Sequence, residues 1–384
     1  MKNGSQFIFK ENIQEVKKTL KSSIICSGPN LNKFEKNLKR YLKSDYVTVC
    51  SSGTAALHLA FQSLEINKND IVIIPNINFI ASFNMLTEIG AKIIICDVDK
   101  INGQLCIDSL LKILKKNKKI KALVTMYLGG VPKNIEKLIR LKNIYKFKVI
   151  EDACHAFGSS YRYQNKKFLV GNCSHFECSI FSFHALKTIT SGEGGAISFK
   201  NKTPFHKSQI LRSHGIIKKN HWDYDVILKG YNYRMDEISA TLGNSQLNQI
   251  NKILRKRRNL SLYYNNLLKD SSEFIKIINN DGEIKNSACH LFIINVYFEK
   301  LNINKSDLIN AFIKKKILLH SHYKPISLFS LVKYKYKSKL SQSRNYFDNS
   351  ISLPLYYELS YENVKKICKS LINFLNNHKI KNVK

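Results

Sequence analysis

The sequence predicts an α/β fold, a mostly parallel central sheet covered by helices and followed by a smaller C-terminal α+β domain. Three observations carry this. Between residues 46 and 199, apolar runs of strand length alternate with amphipathic runs of helix length, the pattern of parallel strands joined by crossover helices. A small-residue turn links the first of these strands to a helix, an arrangement suited to binding anions. The 384 residues exceed the size at which one hydrophobic core keeps growing, so two domains are expected. The division falls near Asn251, giving a large domain 1–250 and a small domain 251–384, with segment 1–20 able to pack on the small one.

Taken in order, an amphipathic helix at 11–20 leads through a turn at Gly28 and Pro29 to a helix near 33–42. A strand at 46–50 meets Ser51, Ser52, Gly53 and Thr54 before a helix at 55–64. Strands follow at 71–74, 92–96, 122–126 and 148–151, with helices at 81–89, 107–115 and 134–145 between them. A short apolar strand at 179–183 then enters a polar turn around Lys187, and a Gly-rich bend leads to a strand at 195–199. Residues 236–268 read as mainly helical, and shorter strands and helices mix from there to the end. No internal repeat is found.

Composition narrows the function. Lys and Arg number 62 against 28 Asp and Glu, a formal net charge of +34, which raises the possibility of a polyanion partner. The lysines are spread along the chain without an arginine-rich block or basic residues interleaved with aromatics, and they accompany a general excess of Ile and Asn. Attraction for small anionic substrates is therefore expected, and no nucleic-acid partner. The apolar run 71–86 is broken by Pro75, Asn76, Asn78 and Asn84, and no signal-type apolar region follows Met1, so neither a membrane partner nor export is expected. Nine cysteines lack any CxxC pair, and the closest spacing, Cys173 and Cys178, fits no common zinc pattern. This implies reduced thiols in a cytoplasmic protein without a metal site.

One lysine stands apart. Ser182, His184, Thr188, Thr190, Ser191 and Glu193 crowd the turn around Lys187 with hydrogen-bonding groups, while Gly192, Gly194 and Gly195 leave room for a close ligand. Among so many lysines the plain alternative is a solvated surface charge. Four further pieces become meaningful beside it. Gly53 and Thr54 open a helix where free N–H groups would favour a phosphate, or where Ser52 or Thr54 simply caps it. Asp152 and His155 follow the carboxyl end of a buried strand, where open α/β sheets bind ligands. They serve there as site groups, or as a turn aspartate and a core histidine. An aspartate about 4 Å from a protonated ring nitrogen, at an effective dielectric near 20, would contribute about 4 kcal/mol, roughly three pKa units. Phe79 could stack on a flat ring or belong to the core. The segment 230–235, with Asn232 and Arg234, could contribute polar groups or cap the next helix.

The ordered motifs SSGTAAL, EDACHAFGS, FSFHALKTITSGEGG, LRSHG and GYNYRMDE resemble the DegT/DnrJ family of nucleotide-sugar aminotransferases. The resemblance implies the fold-type I scaffold and pyridoxal 5′-phosphate as cofactor. Lys187 would capture the cofactor aldehyde and later shuttle a proton. Asp152 would pair with the pyridine nitrogen, His155 would lie near the ring hydroxyl or the ring face, and Phe79 would stack opposite. Gly53, Thr54 and Ser182 would hold the phosphate, joined by Asn232 of a neighbouring copy, which implies a homodimer with shared active sites. Because lysine stands where dehydrating relatives carry histidine, transamination is implied.

The segment HSHYKPISLFSLVKY, from His320 to Tyr334, together with SFHALKTIT and LRSHGIIKK, is most similar to members acting in pseudaminic acid biosynthesis. Those move the amino group of L-glutamate to carbon 4 of a UDP-linked 4-keto-6-deoxy-N-acetylhexosamine, UDP-2-acetamido-2,6-dideoxy-β-L-arabino-hex-4-ulose. His322, Tyr323 and Lys324 would then approach the nucleotide sugar, with Lys324 or Arg234 as counter-charge to the diphosphate. The stretch 125–135, TMYLGGVPKNI, departs from those members. This keeps open a related transaminase making UDP-N-acetylbacillosamine or another 4-amino-4,6-dideoxyhexose. A polyanion-binding protein without enzymatic activity is the remaining alternative.

Overall fold

The computed structural model describes residues 1–117, 119–333 and 340–379; Tyr334, the end of one predicted motif, lies outside them. Seven strands form the central sheet in the order 46–50, 195–199, 178–182, 148–152, 120–126, 71–75, 92–96. Strands Lys92–Cys96, Ile71–Pro75, Ile120–Met126, Lys148–Asp152 and Cys178–Ser182 are mutually parallel. Gly195–Phe199 runs antiparallel to both Cys178–Ser182 and Tyr46–Cys50. The predicted mostly parallel sheet is thus present, with one reversed strand. Its strands read as nearly continuous Val, Ile and Leu because both faces are covered, and Val72, Ile73, Ile74, Leu123, Val124, Val149 and Ile150 are all fully buried.

Register brings the site together. Met126 pairs with Asp152, Asp152 with Ile180, and Gly195 with both Ser182 and Cys50. The carboxyl ends of four strands and the start of the reversed one therefore meet at one edge of the sheet.

Helix boundaries follow their caps. The second helix is Pro29–Leu42, not 33–42, because proline occupies its first turn and the buried Glu237 carboxylate accepts the N–H groups of Gly28, Asn30 and Leu31 at 2.9, 2.7 and 3.0 Å. The stretch 236–268 is two helices, Glu237–Asn248 and Ile250–Leu268, parted at Gln249. Hairpins at Ser160–Tyr163 with Lys166–Leu169, and at Ile216–Lys218 with Tyr224–Val226, are additional to the predicted elements.

Toward the C-terminus, Phe292–Val296 pairs antiparallel with both Ile275–Ile277 and Ser350–Leu353. A separate apolar cluster including Leu260, Tyr264, Ile294, Phe312 and Leu371 covers this sheet, and Tyr264 stacks on Phe292 with centroids 4.6 Å apart. The amino terminus touches both regions. Asn3 bonds to Ser352 and Leu355 of the small sheet region, whereas helix Lys10–Leu20 joins helix 237–248 through Asn12 to Ser245 and Thr19 to Thr241. Among the described residues, no helix is long and apolar enough to cross a membrane, and all nine cysteines are free thiols.

Asp152 and Glu151 are adjacent on one strand and so point to opposite faces of the sheet. Glu151 is buried, with Tyr127 Oη donating to it at 2.5 Å and Ser179 Oγ donating to its other oxygen. Burial pushes its pKa from 4.5 up to about 7, against the lowering effect of those two hydrogen bonds. The folded state therefore holds this proton more tightly than the unfolded chain does. Its stabilising contribution is complete below about pH 4.5 and declines as pH rises through 7, by up to about 3 kcal/mol. Denaturant titrations should find Glu151→Gln close to wild type near pH 4.5 and more stable than wild type at pH 8; a stability difference that does not vary with pH would contradict this.

Candidate active site

A cavity of about 440 Å³ opens at the carboxyl edge of the central sheet, within the range of small-molecule sites, about 300–1,000 Å³. Its floor is the turn between strands 178–182 and 195–199. The turn is fixed by its own backbone: Phe183 N–H bonds to Gly194 O at 2.8 Å, Ser191 N–H to Phe183 O at 2.9 Å, and Lys187 N–H to His184 O at 2.9 Å. Lys187 projects into the cavity, and its amine has no hydrogen-bond or ion-pair partner among the described residues. Burial pulls its pKa down, with the opposing pull of Cys154 and Asp152 too weak to cancel it. A larger share of the amine is therefore unprotonated and nucleophilic than on an exposed lysine.

Asp152 ends its strand in the cavity wall, 3% exposed. Burial raises its pKa, opposed by hydrogen bonds from Cys154, the Lys187 charge and Asn78. It accepts from Cys154 N–H at 3.3 Å and has no Lys or Arg ion-pair partner among the described residues, so this buried carboxylate lacks the cation that would hold it ionised.

At one end of the cavity, Ser52 caps helix Gly53–Ser63 by accepting from Ala55 N–H at 3.0 Å, which leaves the first N–H groups of the helix directed outward beside Thr54 and Ser182. Two glycines permit this closeness. A Cβ on Gly53 would lie 2.9 Å from Ser182 Cβ, and one on Gly195 would lie 2.3 Å from Ser52 O. Phe79, 55% exposed, forms part of the opposite wall, its ring 6.1 Å from that of Tyr323.

His155 is buried in the wall with both ring nitrogens engaged. Gly129 N–H donates to Nδ1 at 3.4 Å, so the ring proton lies on Nε2 and donates to Tyr323 Oη at 2.9 Å. The Tyr323 hydroxyl proton is then left to point at the cavity. His322 also lines the cavity, its Nδ1 sharing a hydrogen bond with Ser352 Oγ at 2.9 Å, and burial pushes its pKa down to about 3.

Of the residues expected from sequence, the cavity gathers Lys187, Asp152 and His155 from the large sheet, Gly53, Thr54 and Ser182 at its end, and Phe79, His322 and Tyr323 around its mouth. Three lie outside the cavity of this chain. Lys324 is exposed with Nζ 5.3 Å over the Phe329 ring, Arg234 donates to Ser213 Oγ at 3.2 Å, and Asn232 is exposed, bridged by its backbone to Ser213. The cavity also contains His290, which sequence reading missed because it sits inside the apolar run ACHLFII, 135 residues after His155.

An unpartnered lysine and a buried carboxylate face one cavity beside a helix N-terminus, an arrangement on this α/β scaffold that suits a phosphorylated aldehyde cofactor. Residues 6–372 match the DegT/DnrJ/EryC1/StrS aminotransferase family, and the chain belongs to it. It is 33% identical over 376 residues to the UDP-4-amino-4,6-dideoxy-N-acetyl-β-L-altrosamine transaminase of Campylobacter jejuni, covering 96% of each chain. Its fold matches Helicobacter pylori PseC, an aminotransferase involved in the biosynthesis of pseudoaminic acid, with TM-score 0.90, 28% identity and coverage of 98% and 99%. It also matches Spr1654 of Streptococcus pneumoniae in its PMP form, with TM-score 0.87, 26% identity and coverage of 98% and 99%.

The protein is thus a pyridoxal-phosphate-dependent nucleotide-sugar aminotransferase. The residues present fit that cofactor: the amine has no competing protein partner, the carboxylate lacks a cation, and the glycine-tightened helix start suits a phosphate. Asp152→Asn should lower turnover by a factor of about 10²–10³, in line with losing about 4 kcal/mol of ring-nitrogen stabilisation, while the purified variant still binds the cofactor. Steady-state kinetics and cofactor titration check this, and unchanged turnover would contradict it.

Proposed function

We propose that the enzyme transfers the amino group of L-glutamate to carbon 4 of UDP-2-acetamido-2,6-dideoxy-β-L-arabino-hex-4-ulose, the amination step of pseudaminic acid biosynthesis. The observation that carries the reading is the Lys187 amine in one cavity with the buried Asp152 carboxylate. Full-length similarity to the altrosamine transaminase supports the choice of sugar. The product would feed a surface glycan, for example in flagellin glycosylation, and the nine free thiols fit a cytoplasmic enzyme.

When bound, pyridoxal phosphate supplies an electrophilic carbon and an electron-withdrawing ring. Lys187 Nζ would hold the cofactor at that carbon and would also serve as the base that takes the proton from the α-carbon of glutamate and gives one to carbon 4 of the sugar. Asp152 would pair with the ring nitrogen. Gly53 and Thr54 N–H groups with Ser182 Oγ would hold the phosphate, Phe79 would stack on the ring, and His155 would lie near the ring hydroxyl or the ring face. His322 and Tyr323 meet the sugar, and Lys324 and Arg234 offer positive charge to the diphosphate. We further assign 1–250 and 251–384 as the large and small domains, the latter closing the sugar side of the cavity.

A homodimer completes the site, with Asn232 of a second copy joining the phosphate group. Hairpin 216–226 supports this, since Trp222, Tyr224 and Val226 are 72%, 62% and 57% exposed on it. A mixture of Lys187→Ala and Asn232→Ala chains, refolded together, should recover activity that neither has alone. Failure to recover it, with dimers present by light scattering, would contradict the shared site. For the sugar, purified enzyme given glutamate and each 4-keto epimer should aminate the L-arabino form; product from the D-xylo epimer alone would reject this choice in favour of a bacillosamine-type transaminase.

A further inference from the structure

Four histidines line the cavity, and three have protein partners: His155 with Gly129 and Tyr323, His184 with Leu186 and Glu193, and His322 with Ser352. His290 has none. It is only 8% exposed, its Nδ1 is sealed from solvent without a hydrogen bond, and no described group bonds its Nε2. A buried polar nitrogen left in this condition is destabilising and calls for an explanation. The residue is nevertheless held firmly. Its N–H donates to Gly129 O at 2.9 Å, its carbonyl accepts from Arg257 Nη1 at 3.4 Å, and its ring lies 4.2 Å from that of His155. With Nδ1 sealed, Nε2 is the ring nitrogen left to meet a group bound in the cavity that His290 lines.

The surrounding charge indicates what it meets there. Arg257 is 3% exposed, its Nη1 donates only to the carbonyls of Cys289, His290 and Leu355, its Nε has no partner, and no carboxylate pairs with it among the described residues. Burial first, then nearby positive charge including that of Arg257, holds the His290 pKa well below its ordinary value, so the ring is neutral. A neutral imidazole backed by a buried guanidinium that no carboxylate pairs with among the described residues is a wall that favours an anion.

We propose that His290 receives a carboxylate of the amino-acid donor through a ring N–H, with Arg257 behind it supplying positive potential without contact. The inference rests on the aminotransferase reading and supplies the carboxylate-binding residue that reading lacks. Each half-reaction can be followed separately in the holoenzyme by the absorbance change near the visible edge. His290→Leu should raise the half-saturating glutamate concentration about 10- to 100-fold, as expected for losing a hydrogen bond to a charged group. The half-saturating concentration of the amino-sugar in the reverse half-reaction should stay unchanged, and His290→Gln should recover part of the loss. In ¹⁵N-histidine-labelled holoenzyme, succinate should shift a ring resonance that is missing from both variants.

A wild-type enzyme unresponsive to glutamate would overturn the donor assignment and this inference with it. A responsive wild type whose leucine variant keeps its glutamate half-saturation, or loses sugar half-saturation instead, would overturn His290 alone, as would a ring resonance that succinate leaves in place.

Discussion

Enclosing the Lys187 amine and the Asp152 carboxylate in one cavity is the constraint on which the rest depends. Burial disfavours the charged form of each, pulling the amine down and pushing the carboxylate up. A chain places two such groups out of water only where the backbone leaves no choice. Here the choice is removed by register: Asp152 pairs with Ile180, Ser182 with Gly195, and the turn carrying Lys187 is closed by Phe183 and Gly194. A cofactor with a basic ring nitrogen and an aldehyde suits the two groups left facing this cavity.

Much of the sheet was legible because parallel strands buried on both faces carry a strong apolar signal, and the small-residue turn after 46–50 announced a helix start. What escaped were features with little periodicity. The strand order, with 195–199 reversed between 46–50 and 178–182, depends on contacts far apart in sequence. The early start of helix 29–42 depends on Glu237, some two hundred residues away. The hairpin at 216–226 carries exposed apolar side chains that no core pattern explains.

The site divides the same way. Lys187, Asp152, Gly53 and Ser182 stand in local motifs that mark them out in the chain, and the fold brings them to one cavity. Lys324, expected from its segment's similarity to related enzymes, and Arg234, its alternative as counter-charge, lie outside the cavity of this chain, one over Phe329 and the other bonded to Ser213. His290 looked like a strand residue because its neighbours are apolar. Gly129 and Gly130 form a turn with φ of 73° and 100°. It fixes both His155 and His290 through one residue, donating to the first and accepting from the second. The turn therefore holds the cavity wall from behind, the His155 imidazole directly and His290 by its backbone N–H.

Covalent capture of the cofactor by Lys187 is the most direct point of test. Holoenzyme reduced with borohydride, digested and analysed by mass spectrometry should carry the pyridoxyl phosphate mass on the peptide spanning 179–199, at Lys187 alone. A label found on a different lysine, or a 179–199 peptide recovered unmodified from fully loaded enzyme, would contradict the account.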